Sequence, residues 1–173
     1  IIGVEVAGRI GRLYSRYQQQ GGFLPTSVVG GFGATAVACR LMDLSVDQTI
    51  DAFGIFYSQA SGNRQALYDH TLTKRLQPGW AVKSAILAAS FAKKELSGPE
   101  HIISSDAGLL RLYGCANPDS LPDEVSKKKK KEDYWDIENL VFKKYACCGC
   151  SHALIEAATQ LAQNHKLKLR EIE

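Results

Sequence analysis

The stretch that decides the fold is "GGFLPTSVVGGFGATAVACRLMDLSVDQTIDAFGIFYSQASG", Gly21 to Gly62. Its first half, "PTSVVGGFGATAVACRLMD", is built from Gly, Ala, Val and Ser. Small side chains on a helix let neighbouring helices approach closely, so the segment reads as a buried packing helix. The glycine-rich start also leaves backbone N–H groups open to an anion, a second reading that the pattern favours less. In the second half, Ser45 followed by Gln48 has the spacing of a capping box, which predicts a helix over about Val46 to Ala60 ending at a Ser-Gly break.

Working outward, Ile2, Val6, Ile10, Leu13 and Tyr17 recur at helical spacing, predicting an amphipathic helix that fades at Gly21 and Gly22. On the other side, "PGWAVKSAILAASFAKKEL" reads as a helix with Pro78 near its start and Ser97-Gly98-Pro99 as its stop. Short helices are expected at Glu100 to Ser104 and Ala107 to Tyr113. From Gly114 to about Asp136 the periodicity dissolves into a lysine-rich loop or linker. Beyond it, "ENLVFKKYA" alternates like a strand, "SHALIEAATQLAQNH" is helical with Ser151 as its cap, and "LKLREIE" reads as a second strand. The expected architecture is therefore mainly α: residues 1–137 are part of a large all-helical domain, and residues 138–173 start a smaller α+β domain. The helical pattern at the first residue and the strand pattern at the last give the expectation of a piece of a longer protein.

Composition bounds the function. The chain has 173 residues, 45% hydrophobic and 23% charged, the balance of a globular protein. No run of eighteen uncharged apolar residues occurs, so no membrane association is expected and the protein reads as intracellular, cytoplasmic or, in a eukaryote, mitochondrial. Of the 21 basic residues, five are Lys127 to Lys131; the remaining 16 against 18 acidic residues give −2. A lysine run flanked by Asp123, Glu124, Glu132 and Asp133 is a self-neutralising surface, and no nucleic-acid partner is expected.

Two stretches concentrate chemistry. "YDHTLTKRLQPGW" brings His70, Lys74, Arg75 and Gln77 to a helix start. "FKKYACCGCSHALIEAA" puts Cys147, Cys148, Cys150, His152, Lys143 and Lys144 within ten residues. The cysteines admit three readings: metal or cluster ligands, a redox pair, or a tight turn lining a pocket. A zinc site usually needs a second ligand pair, and the chain offers no second CxxC, CxxH or HxxxH. No strand–CxxC–helix context marks a thioredoxin-type pair. The pocket reading, with no metal and no cofactor, is the expectation carried forward.

Three stretches resemble the MmgE/PrpD family. The Gly21 to Gly62 region is similar to its "GFHPTS…FGAAAAAARLLGL…SQASG" segment. "TLTKRLQPGWAVKSAILAASFA" looks like its "TKRLHAGWAA" segment, and "FKKYACCGCSHALIEAA" like its "FK.YPCC..THPAIDAA" segment. The resemblance covers nearly the whole chain apart from the lysine-rich loop. It implies a large helical domain joined to an α+β lid, a homodimer, and metal-independent lyase or isomerase chemistry on a small di- or tricarboxylate. Family activities include 2-methylcitrate dehydratase, cis-aconitate decarboxylase and iminodisuccinate epimerase. The first is the nearest expectation, with a degenerate non-catalytic member as the alternative.

Carried over residue by residue, the resemblance makes Lys74 and His152 the catalytic candidates. Thr26, Ser27, Gln77, Lys143 and Cys148 become the substrate-binding candidates. Such chemistry needs cations and N–H donors for the carboxylates, and an acid/base within reach of the reacting carbon. Two positions depart from the family pattern: Leu24 and Gln77 stand where the motifs carry histidine. Cys148 stands where the decarboxylase branch carries a histidine, which makes decarboxylation the activity this reading weakens most.

Overall fold

The computed structural model describes residues 1–17, 22–113 and 135–166. Seven α-helices occur among them: α1 (Ile2–Tyr17), α2 (Pro25–Leu41), α3 (Val46–Tyr57), α4 (Gln65–Tyr68), α5 (Gln77–Ala92), α6 (Leu109–Leu112) and α7 (His152–His165). Among the described residues β pairing is limited to one antiparallel bridge, Phe23 with Asn63. The protein is mainly α, as the periodicity predicts. The chain divides into two compact units, Ile1–Glu138 and Asn139–Glu173.

In the first unit α2 is the central helix, packed against α1, α3 and α5. Its composition explains this position: ten of its residues are buried, spread around the helix, so it carries almost no polar face. Small side chains bring the backbones together. A Cβ on Gly33 would lie 2.4 Å from the Gly3 carbonyl oxygen, which fixes how closely α1 crosses α2. On α5, Ala85, Ala88, Ala89 and Ala92 are all fully buried and recur at i, i+3, i+4 and i+7, a stripe that faces α2 and α3.

Large side chains fill the space that the alanines leave. Phe32, fully buried, sits 5.0 Å from the Phe56 ring in an edge-to-face contact and 6.0 Å from Phe53 in a stacked one. Cys39 packs with Ala38, Ala52, Ala89 and Ala92, and burial raises its thiol pKa. It is a small core residue with no reactive thiolate.

Local rules place the ends of these helices. The capping box forms: Ser45 Oγ accepts from the Gln48 N–H at 3.2 Å, and Gln48 Oε1 accepts from the Ser45 N–H at 3.1 Å. Pro78 lies in the first turn of α5, whose missing donor costs nothing there. That helix ends at Ala92, earlier than Ser97-Gly98-Pro99, through turns from Lys93 to Glu95.

Three further expectations differ from the structure. Residues 100–104 form turns, not a helix; the segment instead bends back so that the Leu109 N–H reaches the Ile102 carbonyl at 2.8 Å. A five-residue helix gains too few hydrogen bonds to offset its nucleation cost, and burial of Ile102 decides the path. The segment 138–146 forms a 3-10 turn, Asp136–Asn139, followed by irregular chain with no ladder partner among the described residues. Ser151 makes no side-chain cap: a 3-10 turn, Gly149–Ser151, leads straight into α7. The second expected strand, 167–173, and the lysine run lie outside the described residues.

Candidate functional site

The first unit brings three element ends together. The chain entering α2 runs antiparallel to the chain leaving α3, with the Leu24 N–H donating to the Gly62 carbonyl at 2.9 Å and the Arg64 N–H to the Gly22 carbonyl at 2.6 Å. From the start of α5, Gln77 then grips the same strand of chain. Its Oε1 accepts from the Asn63 N–H at 2.9 Å, and its Nε2 donates to the Asn63 carbonyl at 3.0 Å. Both ends of the amide are thereby committed to the backbone of one residue, Asn63.

Gly62 is the pivot. Its φ of +131° lies where L-residues are rarely found, and a Cβ there would stand 2.7 Å from Ser27 Cβ and 2.8 Å from Gln77 Oε1. The predicted residues Ser27 and Gln77 are therefore packed on either side of a single glycine. Ser27 is 1% exposed, and its Oγ has no hydrogen-bond partner among the described residues. A buried hydroxyl left in that state costs about 1–3 kcal/mol.

Beside this clamp lies an open cleft of about 360 Å³, lined by Ser61, Gly62, Asn63, Gln65, Ala66, Asp69, Thr71, Thr73, Gln77 and Trp80. Its walls supply hydroxyls, amides and an indole, the donors that a small oxygen-rich ligand needs. Lys74 stands on the 3-10 turn Leu72–Arg75, between the lining residues Thr73 and Gln77, and is exposed. Its ammonium has no partner among the described residues. Thr26 is exposed in the first turn of α2. Of the first-unit candidates, Ser27 and Gln77 are brought together, while Lys74 and Thr26 flank them on the surface.

The second unit holds the other candidates on one turn and one helix. Lys143 Nζ donates to the Cys147 carbonyl at 3.0 Å, folding the lysine over its own loop. Cys148 and Cys150 are exposed, Cys147 is half-buried, and all three are thiols outside any disulfide. No three or more His, Cys, Asp or Glu side chains among the described residues are placed to hold a metal ion.

His152 opens α7. Its Nε2 is buried and without a partner among the described residues, and its ring meets Tyr145 edge to face at 5.3 Å. Tyr145 OH donates to Glu156 Oε1 at 3.0 Å, and the Lys144 ammonium donates to the same oxygen. The hydrogen bond from Lys144, followed by that from Tyr145, lowers the Glu156 pKa, and the same contact raises that of Lys144. Sequence reasoning passed over Tyr145 and Glu156, although a signal was present. Glu156 stands four residues after His152, on the same face of the helix.

With this geometry in view, the comparisons with known proteins are decisive. The model of the MmgE/PrpD N-terminal domain matches residues 1–121. The chain belongs to the MmgE/PrpD family. Among curated relatives, a cis-aconitate decarboxylase-like protein of Aspergillus oryzae is 31% identical over 170 residues, covering 95% of this chain and 35% of that protein. A cis-aconitate decarboxylase of Aspergillus terreus is 27% identical over 168 residues, covering 95% and 34%. The Homo sapiens cis-aconitate decarboxylase is 28% identical over 166 residues, covering 94% and 33%. The chain thus spans about a third of the length of the MmgE/PrpD relatives it matches. No helix among the described residues is long and apolar enough to cross a membrane.

Proposed function

We propose that the protein is a lyase acting on a small tricarboxylate, with cis-aconitate as the first substrate to test. The observation that carries this reading is the likeness, over nearly all of this chain, to relatives named cis-aconitate decarboxylases. Loss of carbon dioxide from such a substrate leaves an electron pair on carbon beside a carboxylate, and a proton must then be delivered there. Fixed cations stabilise the developing charge, and a positioned acid supplies the proton. Lys74, with its unpaired ammonium beside the cleft, is the carboxylate-binding cation in this reading. In the unit from Asn139, taken by itself, Lys143 is a second candidate cation for a carboxylate, Cys148 a candidate lining residue, and the Nε2 of His152 the candidate for proton exchange.

Thr26 and Ser27 supply hydroxyls at the start of α2, and Gln77 holds the Asn63 peptide as part of the wall. The unit from Asn139 is the start of an α+β lid domain, and the enzyme works as a metal-independent homodimer.

A second reading, dehydration of 2-methylcitrate, is favoured by Cys148, which stands where the resemblance puts a histidine in the decarboxylase branch. Leu24, which is apolar, and Gln77, whose amide is engaged by Asn63, cannot move a proton and favour instead a non-catalytic family member.

The test is to incubate the intact protein with cis-aconitate, 2-methylcitrate and citrate and to follow each by proton NMR, with Lys74→Ala alongside. Turnover of cis-aconitate that falls about 10²-fold or more in the variant is the expected result. Turnover of 2-methylcitrate alone would replace the first reading by the second. A folded protein that converts none of the three would be a non-catalytic family member.

A further inference from the structure

We propose that Glu156 is a positioning residue: through Tyr145 it fixes the imidazole of His152 and leaves Nε2 without a hydrogen-bond partner among the described residues. The inference rests on the reading of His152 as the proton-exchanging group.

The geometry has three parts. First, His152 and Glu156 lie one turn apart on α7, a helix of 14 residues, so both side chains project from one face. Second, Glu156 Oε1 accepts two hydrogen bonds from consecutive residues of the preceding segment, Lys144 Nζ and Tyr145 OH. One carboxylate oxygen therefore ties the irregular chain at 144–145 to the helix, and both bonds are strengthened by charge. Third, the Tyr145 ring meets the His152 ring edge to face, at an interplanar angle of 87°.

An aromatic edge restricts an imidazole without using its nitrogens. A carboxylate bonded directly to the ring would orient it too, but would occupy a nitrogen and select one tautomer. Here the carboxylate acts at one remove. The Tyr145 hydroxyl donates the hydrogen bond to the carboxylate, the Tyr145 ring supplies the packing, and Nε2 is left buried with no partner among the described residues. Lys144 completes the arrangement: it lies 5.4 Å from the Tyr145 ring centroid, so the same ammonium that bonds Glu156 also faces the tyrosine ring.

The experiment compares Glu156→Ala, Glu156→Gln and His152→Asn in the intact protein. It uses the His152 ring-proton shifts in long-range ¹H–¹⁵N NMR together with steady-state kinetics. In the unsubstituted protein these protons carry the ring-current shift of Tyr145. Glu156→Ala is expected to remove that shift and to lower kcat about tenfold with little change in KM. Glu156→Gln, which keeps an acceptor at Oε1, is expected to restore most of both. An unchanged His152 shift in Glu156→Ala would overturn the positioning role. Full turnover by His152→Asn would instead overturn the reading of His152 on which the role depends, whatever the shifts show.

Discussion

The two units of the chain are held together by different means. In the first, four alanines of α5 and two close glycines bring helices into contact around Phe32 and Phe56, and eighteen of the described hydrophobic residues are buried. In the second, no described residue of 139–166 is buried: Val141 is 89% exposed and Phe142 96%, and the organisation comes from Lys143, Lys144, Tyr145 and Glu156. Burial of apolar surface stabilises in proportion to area, whereas exposed polar ties contribute little each. The contrast separates a part of the chain specified by shape from a part specified by charge and hydrogen bonding. Candidate reacting groups occur in both.

The sharpest way to break the comparison is to remove one ring from the first unit. Phe32→Ala deletes a fully buried phenylalanine that touches Phe53, Phe56 and Tyr57, and the expected cost is about 3–5 kcal/mol. Leu154→Ala on α7, 73% exposed, should change stability by less than about 0.5 kcal/mol. Urea unfolding of the intact protein measures both. Similar losses at the two positions would erase the distinction between the units.

A smaller effect is expected at the clamp, where packing and site meet. Gly62→Ala forces a side chain into positive φ and to within 3 Å of Ser27 and Gln77, at an expected cost of about 1–3 kcal/mol. Because Ser27 and Gln77 must move, ligand affinity at the cleft should fall with stability. Gln77→Glu separates the two: it keeps the acceptor for the Asn63 N–H but loses the donor to the Asn63 carbonyl. Thermal unfolding with and without cis-aconitate reports each change. A Gly62→Ala protein as stable as its parent would show that the pivot has slack.

The same contrast explains what could be read in the sequence. The capping box at Ser45 and Gln48, the small-residue helix of α2 and the Pro78 start of α5 were all legible, because each is a local rule acting on consecutive residues. The alternation of 138–146 finds no ladder among the described residues, since alternating residues make a strand only when another strand pairs with them. Sequence singled out Ser27 and Gln77 as candidates but not their meeting at Gly62. That meeting depends on a turn conformation fifteen residues from one partner and thirty-five from the other. Lys143 was legible as a cation; its attachment to the Cys147 carbonyl was not.

The mildest prediction concerns the charged tie of the second unit. The Glu156 pKa is lowered, chiefly by the hydrogen bond from Lys144, so the stabilisation it brings is present above the unfolded value of about 4.5 and is lost as pH falls through its lower folded value. The Lys144 pKa is raised, so its contribution is complete below about 10.5 and is lost as pH rises through its higher folded value. Between those limits both groups are charged and the tie should be insensitive to pH. Lys144 and Glu156 are 67% and 38% exposed, so salt should weaken the pair as well. The check is the Glu156 carboxyl ¹³C shift followed from pH 7 to pH 3 at low and high salt. The acid midpoint should lie below that of an ordinary glutamate and move upward with added salt. A midpoint that is lowered but unmoved by salt would mean that Tyr145 alone holds the carboxylate, and one at the ordinary value would mean that neither Lys144 nor Tyr145 does.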